Sequence, residues 1–364
     1  MRLRPFTPVI IVGCFTAFIF DITVSFGSAF GVLYVPLLFL RLTMHRPPHV
    51  AMLLLVVCLM TAAGFFLPTM SDNVAEALFD RLMTLLAAIF TAVLIEQKII
   101  ANRSLNISRV NEARLKLKGR LIDNEIKIAK GLQESILPKL FPQSSKISGH
   151  GIMVPAREVG GDFFDFIQID EDHIGISIGD VTGKGVPAAF FMAIVRTLLR
   201  SIALLKLTPS ECLFRINNQI ASENEQGMFV TIFYGIVDLR SGELIYANGG
   251  HNSPALVKND GQFIWLDETG GSLIGMFPDL NYRENIVRLN PGDSLFLYTD
   301  GVVEAFDQSK VQFSESRLEA VLRMARGASV EQLTQSVLDA VKSFENGSPQ
   351  TDDITCVCVR YGGG

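Results

Sequence analysis

Apolar residues follow three different patterns along this chain. Over residues 1–100 they come as near-continuous runs, at about 6–25, 28–42, 50–68 and 78–96. Crossing the hydrocarbon core of a bilayer takes ~20 apolar residues, with ~17 as a lower limit. The first, third and fourth runs reach that length; Asp21, Ser25 and Ser28 blur the limits of the shorter second one. Over 97–137 the apolar positions recur at sevens. Leu115, Ile122, Ala129 and Ile136 form one stripe, and Val110, Leu117, Leu121, Ile128 and Leu132 a second. This pattern predicts a helical connector that stops before Pro138, weakened at Gly119 and Gly131 by roughly 1 kcal/mol each relative to Ala. Heptads held over about three repeats predict a parallel coiled-coil homodimer. A helix packed on its own domain is the alternative.

From 147 onward short apolar runs alternate in blocks. Strands are expected at 151–155, 163–169, 173–179, 229–238, 243–248, 254–258, 262–266, 284–288, 293–299 and 354–359. Helices are expected at 186–206, 209–223, 315–326 and 329–345. Strands and helices grouped in this way define an α+β class with layered sheets. The chain thus divides into an all-α transmembrane region (1–96), the connector (97–137) and a folded domain (138–364).

Charge orients the first part. Arg2 and Arg4 precede the first run, Arg41, His45, Arg46 and His49 lie between the second and third, and Lys98, Arg103 and Arg109 follow the fourth. The other connections carry Asp21 in one, and Asp72, Glu76, Asp80 and Arg81 in the other. Lys/Arg excess marks the cytoplasmic side. Four spans with both ends inside are therefore expected, giving a multi-pass protein of the cell membrane with a cytoplasmic C-terminal domain. With 32 Lys and Arg against 37 Asp and Glu, the net charge is −5. No basic stripe invites nucleic acid. Cys356 and Cys358 alternate on one strand and so share a face. Without a second Cys or His pair nearby they read as reduced core residues, not a zinc site.

The candidate chemistry centres on Ile178–Ala189, I-G-D-V-T-G-K-G-V-P-A-A. An apolar strand delivers Asp180 to its end, glycines turn the backbone, and Pro187 opens a helix, where its missing N–H is not needed. Three further acidic sites lie beside Gly or Thr at strand ends: Gly160-Gly161-Asp162, Thr299-Asp300-Gly301 and Thr351-Asp352-Asp353. One alone would be ordinary turn chemistry. Four in one domain, with no matching cationic partners in their own motifs, repel each other unless a cation neutralises them. Carboxylate and carbonyl oxygens suit Mg²⁺ or Mn²⁺.

In order, the motifs are A-R-E-V-G-G-D-F-F-D (156–165), G-D-V-T-G-K-G-V-P-A-A (179–189), N-G-G-H-N (248–252), T-D-G-V-V-E-A (299–305) and T-D-D-I-T (351–355). Upstream stands I-A-K-G-L-Q-E-S-I-L-P (128–138). This series resembles the PPM/PP2C-type serine/threonine phosphatases, in their bacterial SpoIIE/RsbU-like branch, over about 125–360. The resemblance implies a PP2C-like αββα sandwich with two Mn²⁺ or Mg²⁺ ions at one end. By it, Asp180 bridges both ions, the Val181 carbonyl adds a ligand, and Asp162, Asp300 and Asp352 complete the set. Asp353, Asp165, Lys184 and Gly161 are secondary candidates. Asp165 is expected to face away from Asp162, and Lys184 either contacts phosphate or, preferably, stays a solvated loop residue. His251 is expected to hydrogen-bond its loop and not to catalyse. The implied partner is a phosphorylated protein, of the anti-sigma-factor-antagonist kind. The rival of a different class is a membrane-anchored phosphoprotein scaffold with a lapsed site, which the intact acids argue against. A diguanylate cyclase would need Glu where Phe163 stands. A P-loop fails on its glycine spacing and on Gly185 after Lys184.

Overall fold

The computed structural model describes residues 74–267 and 270–364. The apolar runs at 6–25, 28–42 and 50–68 lie outside the described residues, as does the start of the chain on which their orientation was argued. By contacts the chain forms two units, Met1–Gly119 and Arg120–Gly364. One 63-residue helix, α1 (Val74–Ile136), runs through the fourth apolar segment and the expected connector without a break. Leu105, Val110, Leu115, Leu117, Leu121, Ile122, Ile128 and Leu132 are exposed along it. Near its end α1 buries a polar residue, Gln133, and Leu137 just beyond it packs on the core. In the second unit, the last turns of α1 meet the folded domain through Gln133.

The second unit is a four-layer sandwich, as the α+β reading anticipates. One sheet has the order β1 (Ile147–Val154), β10 (Ile354–Tyr361), β9 (Ser294–Tyr298), β6 (Ala255–Val257), β7 (Phe263–Trp265). The other runs β2 (Phe163–Gln168), β3 (His173–Val181), β4 (Val230–Asp238), β5 (Glu243–Gly249), β8 (Glu284–Arg288). All their pairings are antiparallel. Side chains alternate across a strand, and the central strands β3, β4, β9 and β10 bury residues on both faces. On β3, Ile174, Ile176 and Ile178 join Phe164, Phe166, Leu297 and Val357 between the sheets. The opposite face of that sheet packs under α2 (Val186–Ala203) and α3 (Pro209–Ala221). The first sheet's outer face, with Cys356 and Cys358, is covered by α4 (Asp300–Val303), α5 (Ser314–Met324) and α6 (Val330–Glu345). Both cysteines are free and buried, on one side of the strand as expected. Among the described residues one helix, Val186–Ala203, has the length and hydropathy to cross a membrane. Here it packs on the sheet through Ala188, Met192, Val195 and Leu199, so it is a core helix.

Two boundaries differ from the sequence reading for a physical reason. β1 starts at Ile147, not 151, because its inward positions include Gly149 and Gly151 and so carry little apolar signal. A Cβ on Gly151 would stand 2.5 Å from the Phe164 ring, so the glycine leaves the room that the aromatic ring fills. Asp300 opens the helical turn α4 instead of ending a strand.

Candidate active site

Strand parity brings the acids together. Asp162, just before β2, has the parity of Phe164 and Phe166; Asp180, near the end of β3, has that of Ile176 and Ile178. Both therefore cap the end of the inter-sheet core. The first sheet supplies Asp300, at the start of α4 after β9, and Asp352, just ahead of β10. Two threonines of that sheet reach across to Asp162: its Oδ2 accepts from Thr299 Oγ1 at 2.8 Å and from Thr355 Oγ1 at 2.6 Å. Both belong to the recognised motifs, so their place in the sequence held the signal, though the reading passed over them.

The loop before Asp162 is fixed by Asp353, whose carboxylate accepts from Ala156 N at 2.8 Å and Gly161 N at 2.7 Å. Asp353 is thus buried and used up on backbone, while Asp352 beside it turns to the opposite side. Gly161 permits a close approach: a Cβ there would stand 2.8 Å from the Val181 carbonyl oxygen. The carbonyl expected to serve as a ligand lies against the very loop that carries Asp162.

Electrostatics mark the cluster as short of positive charge. Burial, followed by the charges of Asp180 and Asp353, raises the Asp162 carboxyl well above its ordinary range; the threonine hydrogen bonds act the other way. Asp180 is pushed up to about 7, first by burial and then by Asp300, with Asp352 and Asp353 adding. A hydrogen bond with Asp162 works against that rise, and the two carboxyls share it as neighbours. Asp300 is raised as well, by burial and then by Asp352 and Glu304. Buried like charges do this because the ionised forms have lost water and gained only repulsion.

Lys184 is not the solvated loop lysine expected. Its Nζ donates to Asp352 Oδ2 at 2.7 Å and also to the Thr351 carbonyl. Asp165 faces away from Asp162, as parity required, into the layer beneath α2. There its buried carboxylate meets Arg196 Nη2 at 2.9 Å and Arg200 Nη1 at 2.7 Å. It is a tie between strand and helix; the two arginines sit at i and i+4 on α2, a spacing that could have flagged them. His251 is buried and held by its loop, as expected. Nδ1 lies 2.8 Å from Thr231 Oγ1 and Nε2 lies 3.1 Å from the Tyr298 carbonyl, so Nε2 carries the proton and donates. Burial lowers its pKa to about 4, leaving it neutral at physiological pH.

Among the described residues no three His, Cys, Asp or Glu side chains stand as a ready-made metal cage. Asp162 is engaged by its threonines and Asp352 by Lys184. The donor chemistry nonetheless fits hard divalent ions. It is all oxygen, anionic, partly desolvated, and lacks cations enough to balance it.

Fold and acid cluster together define a PP2C-type phosphatase domain. The family description "Stage II sporulation protein E (SpoIIE)" matches residues 170–362, just over half of the chain, and the chain belongs to that family. Protein IcfG of Synechocystis sp. is 31% identical over 269 residues, covering 65% of this chain and 42% of IcfG. Phosphoserine phosphatase RsbU of Bacillus subtilis is 26% identical over 239 residues, covering 66% of this chain and 70% of RsbU. The SiaA-PP2C domain of Pseudomonas aeruginosa superposes with a TM-score of 0.59 at 22% identity, over 67% of this chain and 98% of that domain, which is a likeness of fold.

Proposed function

We propose that this chain is a membrane-anchored, metal-dependent protein serine/threonine phosphatase that acts in bacterial signalling. The observation that carries the reading is the shared deficit of positive charge at Asp162, Asp180 and Asp300, each raised by burial and by its neighbours. Asp162, Asp180, Asp300 and Asp352, with the Val181 carbonyl, would hold two Mn²⁺ or Mg²⁺ ions. Bound there, such ions supply a nucleophile at neutral pH by acidifying water, and they neutralise phosphoryl oxygens for in-line attack. The chain's own residues orient this chemistry. Thr299 and Thr355 hold the Asp162 carboxylate in one rotamer, Asp353 pins its loop, and Gly161 lets that loop meet Val181.

The substrate proposed is a phosphoserine or phosphothreonine on a protein, of the anti-sigma-factor-antagonist class. Support comes from similarity to a relative named phosphoserine phosphatase. Membrane anchoring is supported by the apolar runs of residues 1–100, and a cytoplasmic catalytic domain by the Lys/Arg pattern of residues 1–109. Dimerisation through the connector rests on its heptads and on the exposed stripe of α1.

The test uses the full chain in lipid vesicles. Phosphate release from a phosphoserine protein is followed with Mn²⁺, with Mg²⁺ and with chelator, beside Asp180→Asn. Metal-dependent release lost in a folded mutant is the expected result. A folded, metal-loaded wild type that binds the phosphoprotein without turnover would favour the scaffold reading instead.

A further inference from the structure

The glycine loop after β3 carries a lysine that reaches the acid cluster. Lys184 stands between Gly183 and Gly185, whose φ angles of 91° and 78° lie in the left-handed region. Nothing stands within 4 Å of a Cβ built on either glycine. The loop is thus open at both positions flanking Lys184. The lysine side chain reaches a residue 168 positions away, Asp352, with an Nζ–Oδ2 distance of 2.7 Å, and caps the Thr351 carbonyl as well. The same ammonium favours the charged form of Asp300. Lys184 thus serves the Asp300–Asp352 edge of the acid cluster. At the other edge, Asp162 and Asp180 have threonine hydroxyls and each other.

We propose that Lys184 is a resident counter-cation that competes with a divalent ion for Asp352. Metal binding at the Asp300–Asp352 edge is thereby weaker than at Asp162–Asp180 and requires the lysine to let go. The pair is partly exposed, at 35% for Lys184 and 39% for Asp352. Exposed ion pairs are individually weak, so displacement by a divalent ion is within reach. A released ammonium on this loop is then free to face an anionic substrate, which couples occupancy of that edge to substrate charge. This inference rests on the metal-dependent reading given above and adds a positioning residue to it.

The experiment is Mn²⁺ binding by the full chain, counting free ion by electron paramagnetic resonance, with no substrate present. Wild type is expected to bind in two steps, the weaker one removed by Asp352→Asn. Lys184→Gln and Lys184→Met should tighten the weaker step about five- to tenfold, from loss of the ion pair and of like-charge repulsion. Lys184→Arg should stay near wild type. In the Asp352→Asn background, Lys184→Gln should change the remaining step little. Circular dichroism checks the fold of each variant, and using two neutral replacements guards against a local folding defect in one. Intact two-step binding that Lys184→Gln and Lys184→Met leave unchanged or weaken would overturn the role of Lys184 alone. A folded wild type that binds no Mn²⁺ would overturn the metal-dependent reading beneath it.

Discussion

The side chain of Gln133 grips both polar ends of the Gly160 backbone. Its Nε2 donates to the Gly160 carbonyl at 2.7 Å, and its Oε1 accepts from the Gly160 N–H at 3.1 Å. Gly160 lies two residues before Asp162, so the last turns of α1 are tied directly to the loop that carries a candidate ligand. Gln133→Ala would leave two buried backbone groups unpartnered, at about 1–3 kcal/mol each. Lower stability in urea and roughly tenfold weaker Mn²⁺ binding are expected from that coupling. Gln133→Glu keeps the acceptor and loses the donor, and should fall between the two. Unchanged Mn²⁺ affinity in Gln133→Ala would mean that the tie is structural only.

Asp165, itself buried, pairs with the nearly buried Arg196 and with the more exposed Arg200. Asp165→Asn removes the only carboxylate that Arg196 and Arg200 share among the described contacts. A buried pair broken from one side is destabilised by about 3–5 kcal/mol, because a charge is left without its partner. Chemical denaturation should show that loss. Replacing all three by apolar residues of similar volume should recover most of it.

Asp180 makes the metal-free protein sensitive to pH in an unusual direction. Its folded pKa of about 7 lies above the ordinary carboxylate value of 3.8. Between those values the folded state binds the extra proton, so stability falls as pH rises through the window. Asp180→Asn should therefore stabilise the metal-free protein, increasingly from pH 4 to 7, by on the order of a few kcal/mol. His251 acts oppositely between about 4 and 6.5, since its folded pKa is depressed. The informative quantity is thus the difference between wild type and Asp180→Asn in thermal melts with chelator. A flat difference across that range would contradict the assignment. With metal added, the mutant should lose both the stabilisation by metal and hydrolysis.

Gly161→Ala tests the close approach at Val181. A new methyl 2.8 Å from a backbone carbonyl cannot be relieved by a rotamer change. The loop must shift, and a displacement of ~1 Å at a reacting centre can lower turnover by about 100-fold. Turnover should fall in that range while the circular dichroism spectrum is kept.

Much of this architecture was legible because the apolar pattern and the motifs agree. β3 reads as Ile174, Ile176 and Ile178 alternating with small residues, and its neighbours follow suit. Parity alone separated Asp162 from Asp165 and Asp352 from Asp353; Asp165 meets Arg196 and Arg200, and Asp353 meets the backbone of Ala156 and Gly161. What stayed hidden involves partners remote in sequence. Thr355 lies 193 positions from Asp162, Lys184 168 from Asp352, and Gln133 27 from Gly160. Hydrogen bonds of that span leave no periodicity in the chain. They become visible only when the two sheets are laid face to face.

The position of β10 sets when the acid pocket can exist at all. This strand lies between β1 and β9, with Asp352 and Asp353 on its approach and Thr355 within it. During translation, Asp162 leaves the ribosome long before the residues that lock it. Until 352–361 emerge, the first sheet has a gap at its second position and the carboxylates have no common wall. Contacts of such long sequence separation form late and slowly. A chain interrupted anywhere upstream of β10 is therefore born without this pocket, and in a nascent one the four carboxylates meet only once the last strand has closed the sheet.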